Sequence, residues 1–175
     1  MEIASFANGC FWCTEAVFQR LNGVGNVVSG FTGGKIKHPP YREVVMGRTG
    51  HAEAIQLEFD PNIIEYEILL QVFFATHDPT SLNKQGYDVG EQYRSEIFYY
   101  NEFQKNTADS VINQLNTEVY NNKIVTKLSP ASPFYEAEIE HQDFYNLHQE
   151  NRYCEYIIDP KLETLRSKFK PYLKQ

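Results

Sequence analysis

From Glu53 to Phe59 the chain alternates, with Ile55, Leu57 and Phe59 set against Ala54, Gln56 and Glu58. A period of two marks a half-buried strand, and Asp60-Pro61-Asn62 supplies the residues that end one. Shorter apolar runs predict further strands over Ile3–Ala7, Val24–Phe31, Tyr93–Tyr100 and Ile124–Leu128. Helical spacing appears elsewhere. Val17, Phe18 and Leu21 suit a helix from Cys10 to Leu21, stopped near Gly23. Leu69, Leu70 and Phe73 suit a second, from Ile64 to Thr76. Asn101 is placed to cap a third that runs through Asn122, with Val111, Ile112, Leu115 and Val119 on its core face. Two stretches read as loops, Gly33-Gly34 to His38-Pro39-Pro40 and His77 to Gln92. After Ile124–Leu128 the tail reads as mostly irregular, with a short helix after Pro160 built on Leu162, Leu165 and Phe169.

Mixed strands and helices, with strands far apart in sequence, predict an α+β fold, a two-layer α/β sandwich wrapped by a long C-terminal segment. At 175 residues the chain suits one domain, 1–175, with a full core. No repeat or linker-like stretch divides it. The 12 Tyr and 12 Phe make that core aromatic-rich. A net charge of -7 argues against nucleic acid and anionic membrane as partners. No apolar run reaches membrane-spanning length and no signal peptide is visible, so the cytoplasm is the expected location. Three cysteines are too few, and odd in number, for a secreted disulfide framework. In a reducing compartment they point to catalysis, metal or packing.

The chemistry concentrates at Gly9-Cys10-Phe11-Trp12-Cys13-Thr14-Glu15. A thiol at a helix start feels the positive end of the helix dipole, which favours thiolate. Cys10 is therefore a candidate nucleophile, against the bland reading of a small buried hydrophobe. Phe11 and Trp12 are either core rings or an apolar wall for a methyl or thioether group. Glu53 shares the parity of Ile55, Leu57 and Phe59, so it lies on their face of the strand. A desolvated carboxyl there would keep its proton near neutral pH; a strand end reaching water is the equal alternative. Tyr41 and Tyr93, placed at loop-to-strand junctions, each offer a phenolic donor. Asp88 reads as a turn residue, and the run Glu136 to Glu140 as a solvated face. Cys154, in the irregular tail, suits a mobile second thiol.

These blocks resemble peptide methionine sulfoxide reductase A along nearly the whole chain. Gly9-Cys10-Phe11-Trp12 with Glu15 is similar to the family's active-site motif. Tyr41, Thr49-Gly50-His51-Ala52-Glu53 and Asp60-Pro61 are similar to its second block. Asp88, Gly90 and Gln92-Tyr93-Arg94-Ser95 are similar to the third, and His141-Gln142 with Tyr153-Cys154 to the last. The resemblance implies a ferredoxin-like core and reduction of the S epimer of methionine sulfoxide, free or in peptides and proteins. It implies Cys10 as nucleophile, Phe11 and Trp12 as the methyl pocket, Glu53 as acid, and Tyr41, Tyr93 and Asp88 beside it. It further implies a sulfenic acid, then a disulfide recycled by thioredoxin, in a monomer with no metal or organic cofactor. Where many members carry Gly, this chain has Cys13, so two resolving thiols compete. Cys154 is favoured, because joining Cys10 to Cys13 on one helical turn implies unwinding that turn.

Other classes fit parts of the pattern. A thioredoxin-like oxidoreductase would use Cys10-x-x-Cys13 but leave Glu53 and the tyrosines idle. A zinc module would need Cys154 with His141 or His148 to complete the set. A cysteine hydrolase would need a histidine base, and nothing in the sequence fixes one. His51 and His141 read more simply as structural hydrogen-bond donors.

Overall fold

The computed structural model describes residues 1–175. Strand β1 (Glu2–Asn8) leads through helix α1 (Phe11–Phe18) to β2 (Val24–Thr32). A short helix α2 (Tyr41–Val45) precedes β3 (Ala52–Phe59), which inserts between β1 and β2 and runs antiparallel to both. Helix α3 (Tyr66–Ala75), the small hairpin β4 (Lys84–Gln85) and β5 (Asp88–Val89), and β6 (Ser95–Tyr99) follow. β6 pairs antiparallel with the other edge of β1. The inner order β6-β1-β3-β2 is the split βαβ arrangement of a ferredoxin-like sheet. Helix α4 (Glu102–Glu118) then packs beside α3.

The C-terminal segment wraps this core. It adds β7 (Lys127–Pro130) parallel to β6 on one edge and β8 (Tyr135–Glu136) antiparallel to β2 on the other, covering both outer strands. It continues through the single turn α5 (Phe144–Leu147) into a π-helical turn, Cys154–Ile158, and then α6 (Asp159–Phe169). No helix is long and apolar enough to cross a membrane.

The strand parity in β3 holds. Ile55, Leu57 and Phe59 join the main core, while Gln56 and Glu58 reach the surface. Phe6 stacks on Phe18 with ring centroids 5.1 Å apart and meets Phe73 at 5.4 Å, which accounts for the aromatic-rich composition. Asn101 caps α4 by accepting from the Gln104 N–H at 2.9 Å. Several elements differ from expectation. α1 ends at Phe18, because the chain turns at Gln19 and Arg20 and Leu21 is drawn into a bridge with Leu173. α4 stops at Glu118, so Val119 is exposed instead of core. The last predicted strand is shifted to Lys127–Pro130, because it pairs with β6 there. Pairing with β2 creates β8, and α2 forms behind Pro40, where the sequence pattern predicts no element.

Candidate active site

Gly9 delivers Cys10. Its φ of +114 is a conformation that side chains rarely adopt, and a Cβ there would lie 3.0 Å from Gln85. The turn leaves Cys10 as the extended N-cap of α1, directly ahead of Phe11, the first helical residue. α1 is apolar almost all round, so it sits buried against the sheet and carries Cys10 and Cys13 inward with it.

Glu53 stands at the head of β3, on the core face, only 1% exposed. Its Oε1 accepts the Phe11 N–H at 3.1 Å. Its Oε2 has no partner. Burial is the main cause that pushes its pKa up to about 8; the Phe11 N–H and Cys10 pull the other way without winning. Of the two readings of Glu53 by parity, the desolvated acid is the one the fold adopts. At neutral pH it holds a proton, and that proton has no protein acceptor.

Tyr41 and Tyr93 converge on the same spot. Tyr41 does not sit at a strand junction: it opens α2 behind Pro40, its N–H bonded to Glu138. Tyr93 closes a 3-10 turn, Glu91–Tyr93, ahead of β6. Gln92 ties the two, donating from Nε2 to the Val45 carbonyl at 2.8 Å. Burial first, then the Glu53 carboxyl, raises both phenols well above the usual range. Both stay protonated and able to donate, and neither hydroxyl has a protein hydrogen-bond partner.

The aromatic wall is layered. Phe11 has no accessible surface and packs on Phe31, Tyr41 and His141. Trp12 is half-buried and stacks flat on Phe144, 3.7 Å between centroids. Its Nε1–H donates to His141 Nδ1 at 3.3 Å, and His141 stacks on Tyr41 at 4.0 Å. His141 is thus an acceptor here, where the sequence suggests a donor, because an indole N–H can only donate; burial lowers its pKa. His51 is structural, accepting the Gly34 N–H at Nδ1 and bonding the Ile36 carbonyl through Nε2. Glu15, inside α1, accepts the Phe144 N–H at 3.3 Å and so holds Phe144 over Trp12. Burial raises Glu15 to about 7.

Behind Cys10, away from Glu53, lies a cavity of about 380 Å³ bounded by both Cys10 and Cys13, by His77, Asp88 and Tyr153, and by Lys161. Asp88 is more than a turn residue: in β5 it accepts the Tyr153 hydroxyl at 2.8 Å. Tyr153 also lies 3.5 Å from Cys13 Sγ. Burial is the largest effect on Cys10 and holds its thiol well above the ordinary value, outweighing the Trp12 N–H at the helix start. The dipole argument for a resting Cys10 thiolate therefore fails here. Of the interacting pair, Cys13 is the more acidic, drawn down to about 7 by Cys10, Lys161 and Tyr153. Cys154 is not in an irregular stretch but begins the π-helical turn, and it is fully buried under a shallow cover.

The structure places no three His, Cys, Asp or Glu side chains together as metal ligands, so Cys154, His141 and His148 do not converge. A histidine base is also missing. His77 has both ring nitrogens engaged, by Phe73 and Ser95, and burial pushes its pKa down to about 3. Phe144 and Lys161 are site residues that neither local pattern nor the resemblance marks. His141 and Tyr153 lie in the last similar block, and only their contacts come from the structure.

A ferredoxin-like domain with a buried thiol, a protonated carboxyl and two phenols on one side, and further thiols on the other, defines a thiol oxidoreductase. A family model described as peptide methionine sulfoxide reductase matches residues 2–173. The peptide methionine sulfoxide reductase MsrA of Thermus thermophilus is 51% identical over 173 residues, 99% of this chain and 98% of its own length. That of Deinococcus radiodurans is 55% identical over 166 residues, 94% and 81% of the two chains. Mxr1 from Saccharomyces cerevisiae in reduced form has a TM-score of 0.79 at 29% identity, covering 86% of this chain and 87% of that one. Mxr1 is also solved in complex with Trx2, with a TM-score of 0.56 at 23% identity over 82% and 84% of the chains. The chain belongs to the peptide methionine sulfoxide reductase family and is of the MsrA type, a thiol-dependent reductase of methionine sulfoxide.

Proposed function

We propose that Cys10 attacks the sulfoxide sulfur, that Glu53 donates the proton to the sulfoxide oxygen, and that Tyr41 and Tyr93 hold that oxygen. The observation that carries this reading is the unpartnered, buried Oε2 of Glu53 beside Cys10. A protonated carboxyl is what a developing oxyanion needs, and the two free phenols act as the rest of an oxyanion hole. Phe144 and Trp12 supply the apolar face for the methyl group, with Phe11 backing Tyr41 and His141 from the core. Attack forms the Cys10 S–S bond to the sulfoxide sulfur while the oxygen takes the proton of Glu53. Transfer of that hydroxyl to Cys10 leaves a sulfenic acid and methionine.

Cys10 need not rest as a thiolate. As it attacks, its proton makes good the one that Glu53 gives to the oxygen, so thiol and sulfoxide become sulfenic acid and methionine with no net change in protons. Asp88 enters through Tyr153, as a positioning group instead of a proton donor to substrate. A second cysteine then condenses with the sulfenic acid, and an external dithiol of the thioredoxin class restores the thiols. The protein acts as a monomer formed by one reductase domain, 1–175, in the cytoplasm, without a metal or organic cofactor.

The test is reduction of a blocked methionine sulfoxide, each epimer separately, with excess dithiothreitol. The S epimer alone should be turned over, and Cys10→Ser should abolish it. Turnover of the R epimer, or an active Cys10→Ser protein, would refute the reading.

A further inference from the structure

Cys10 is the N-cap of α1, with φ -61 and ψ 128, and Cys13 is the third residue inside the helix. Residues at these two positions face each other across the first turn; this is how a capping box pairs its Ser and its Glu. Here both positions carry sulfur. The Cys13 N–H already donates to the Cys10 carbonyl at 3.1 Å, so the turn is closed with the thiols on one side of it. Because Cys10 is extended and not helical, joining the two asks little of the helix. Cβ atoms three residues apart on a helix stand about 5–6 Å apart, and a disulfide asks for about 4 Å. The cap residue can supply that closure by itself, so the unwinding expected from the sequence is not required.

Cys154 stands differently. It has no accessible surface and takes no part in the cavity wall, whereas Cys10 and Cys13 both do. Burial first, then the charges of Cys13, Asp159 and Glu150, raises its thiol above the ordinary value, and Cys10 is not among the charges that act on it. Its neighbour Tyr153 is bound to Asp88 at 2.8 Å and rests on Cys13 at 3.5 Å, contacts that tie the start of the π-helical turn to the wall of the site.

We propose that Cys13 is the thiol that resolves the Cys10 sulfenic acid, ahead of Cys154. This rests on the nucleophile reading above. The Cys13 sulfur attacks the Cys10 sulfur, the S–S bond forms, the S–O bond breaks, and the hydroxyl leaves as water. The net change is one sulfenic acid and one thiol to one disulfide and one water. Three groups favour the attacking thiolate: Lys161 across the cavity, Tyr153 as a donor, and Cys10 itself before oxidation. Tyr153 has one proton, which serves Asp88 or a Cys13 thiolate but not both. The product disulfide lines the 380 Å³ cavity, where an incoming dithiol can meet it. Any disulfide of Cys154 then follows by exchange on Cys13.

The experiment uses the reduced full chain and its Cys13→Ser, Cys13→Ala and Cys154→Ser variants, given one equivalent of methionine sulfoxide and no reductant. Methionine, free thiols, dimedone-trapped sulfenic acid and disulfide pairing by peptide mass mapping are followed in time. Cys154→Ser should lose two thiols at the wild-type rate and yield Cys10–Cys13. Both Cys13 variants should make methionine normally, yet accumulate dimedone-reactive Cys10 and lose thiols at least about tenfold more slowly. Persistent sulfenic acid in Cys154→Ser, or a Cys10–Cys154 disulfide formed at the wild-type rate without Cys13, overturns the proposal. Failure of every variant and of wild type to form methionine would instead strike the nucleophile reading, because that product precedes resolution. A parallel run oxidised with hydrogen peroxide reads the same pairing without sulfoxide chemistry.

Discussion

Glu53→Gln separates two consequences of one buried proton. Glu53 keeps its proton up to about pH 8, against 4.5 when solvated, because burial disfavours its charge. The unfolded chain ionises Glu53 above 4.5, so the native state loses ground progressively as pH rises from there to about 8, and the loss is complete above it. Over that span it amounts to roughly 5 kcal/mol. Gln keeps an acceptor for the Phe11 N–H and never ionises, so the variant should escape the loss. For a chain of this length, the gap in melting temperature between variant and wild type should widen by on the order of 10 °C between pH 5 and pH 9. Glu15, also raised by burial, is common to both proteins and cancels in that difference. In the same protein the proton donor is gone. Single-turnover methionine formation at pH 7 should fall about 100-fold, the typical effect of removing one group from an oxyanion site. Calorimetry across pH and rapid-quench product analysis read the two effects. Melting curves with the same pH dependence in both proteins would refute the desolvated carboxyl, and an unchanged single-turnover rate would refute its role as acid.

Two further outcomes follow from the same geometry. Tyr41→Phe and Tyr93→Phe each remove one donor that has no protein partner, so each should slow methionine formation about 10- to 100-fold while thermal stability changes little; rates at wild-type level in both would remove the phenols from the oxyanion site. Phe144→Ala removes the ring stacked 3.7 Å from Trp12, and should raise KM severalfold with a smaller change in kcat. A lowered kcat with unaltered KM would mean that the wall shapes the transition state and not the binding of the methyl group.

Much of the core was legible because its signals are local. Alternation in β3 placed Ile55, Leu57 and Phe59 inside, and the same parity put Glu53 on their face. Asn101 capped the helix it precedes. Gly9 before Cys10 marked a turn into a helix, and the turn is there at φ +114. The four blocks of similar residues identified the family without any coordinates. The alternation in β3, the cap at Asn101 and the turn at Gly9 depend on near neighbours in the chain, whose spacing is fixed by backbone geometry.

What tertiary structure alone decided lies across long sequence separations. Burial, not the helix dipole, rules the Cys10 thiol, and burial is a property of everything packed around it. Whether Glu53 met water or core depended on α1 lying over the head of β3, a contact between residues 42 apart in the chain. Cys154 reads as part of a loose tail until the π-helical turn that leads into α6 buries it. The strand β8 and the Phe144 lid over Trp12 exist because the C-terminal segment closes on the edge of a sheet built by the first 100 residues. Sequence sets the periodicity of each element and the chemistry it carries. The distance between a thiol and its acid, and the dielectric in which they meet, appear only when the elements pack.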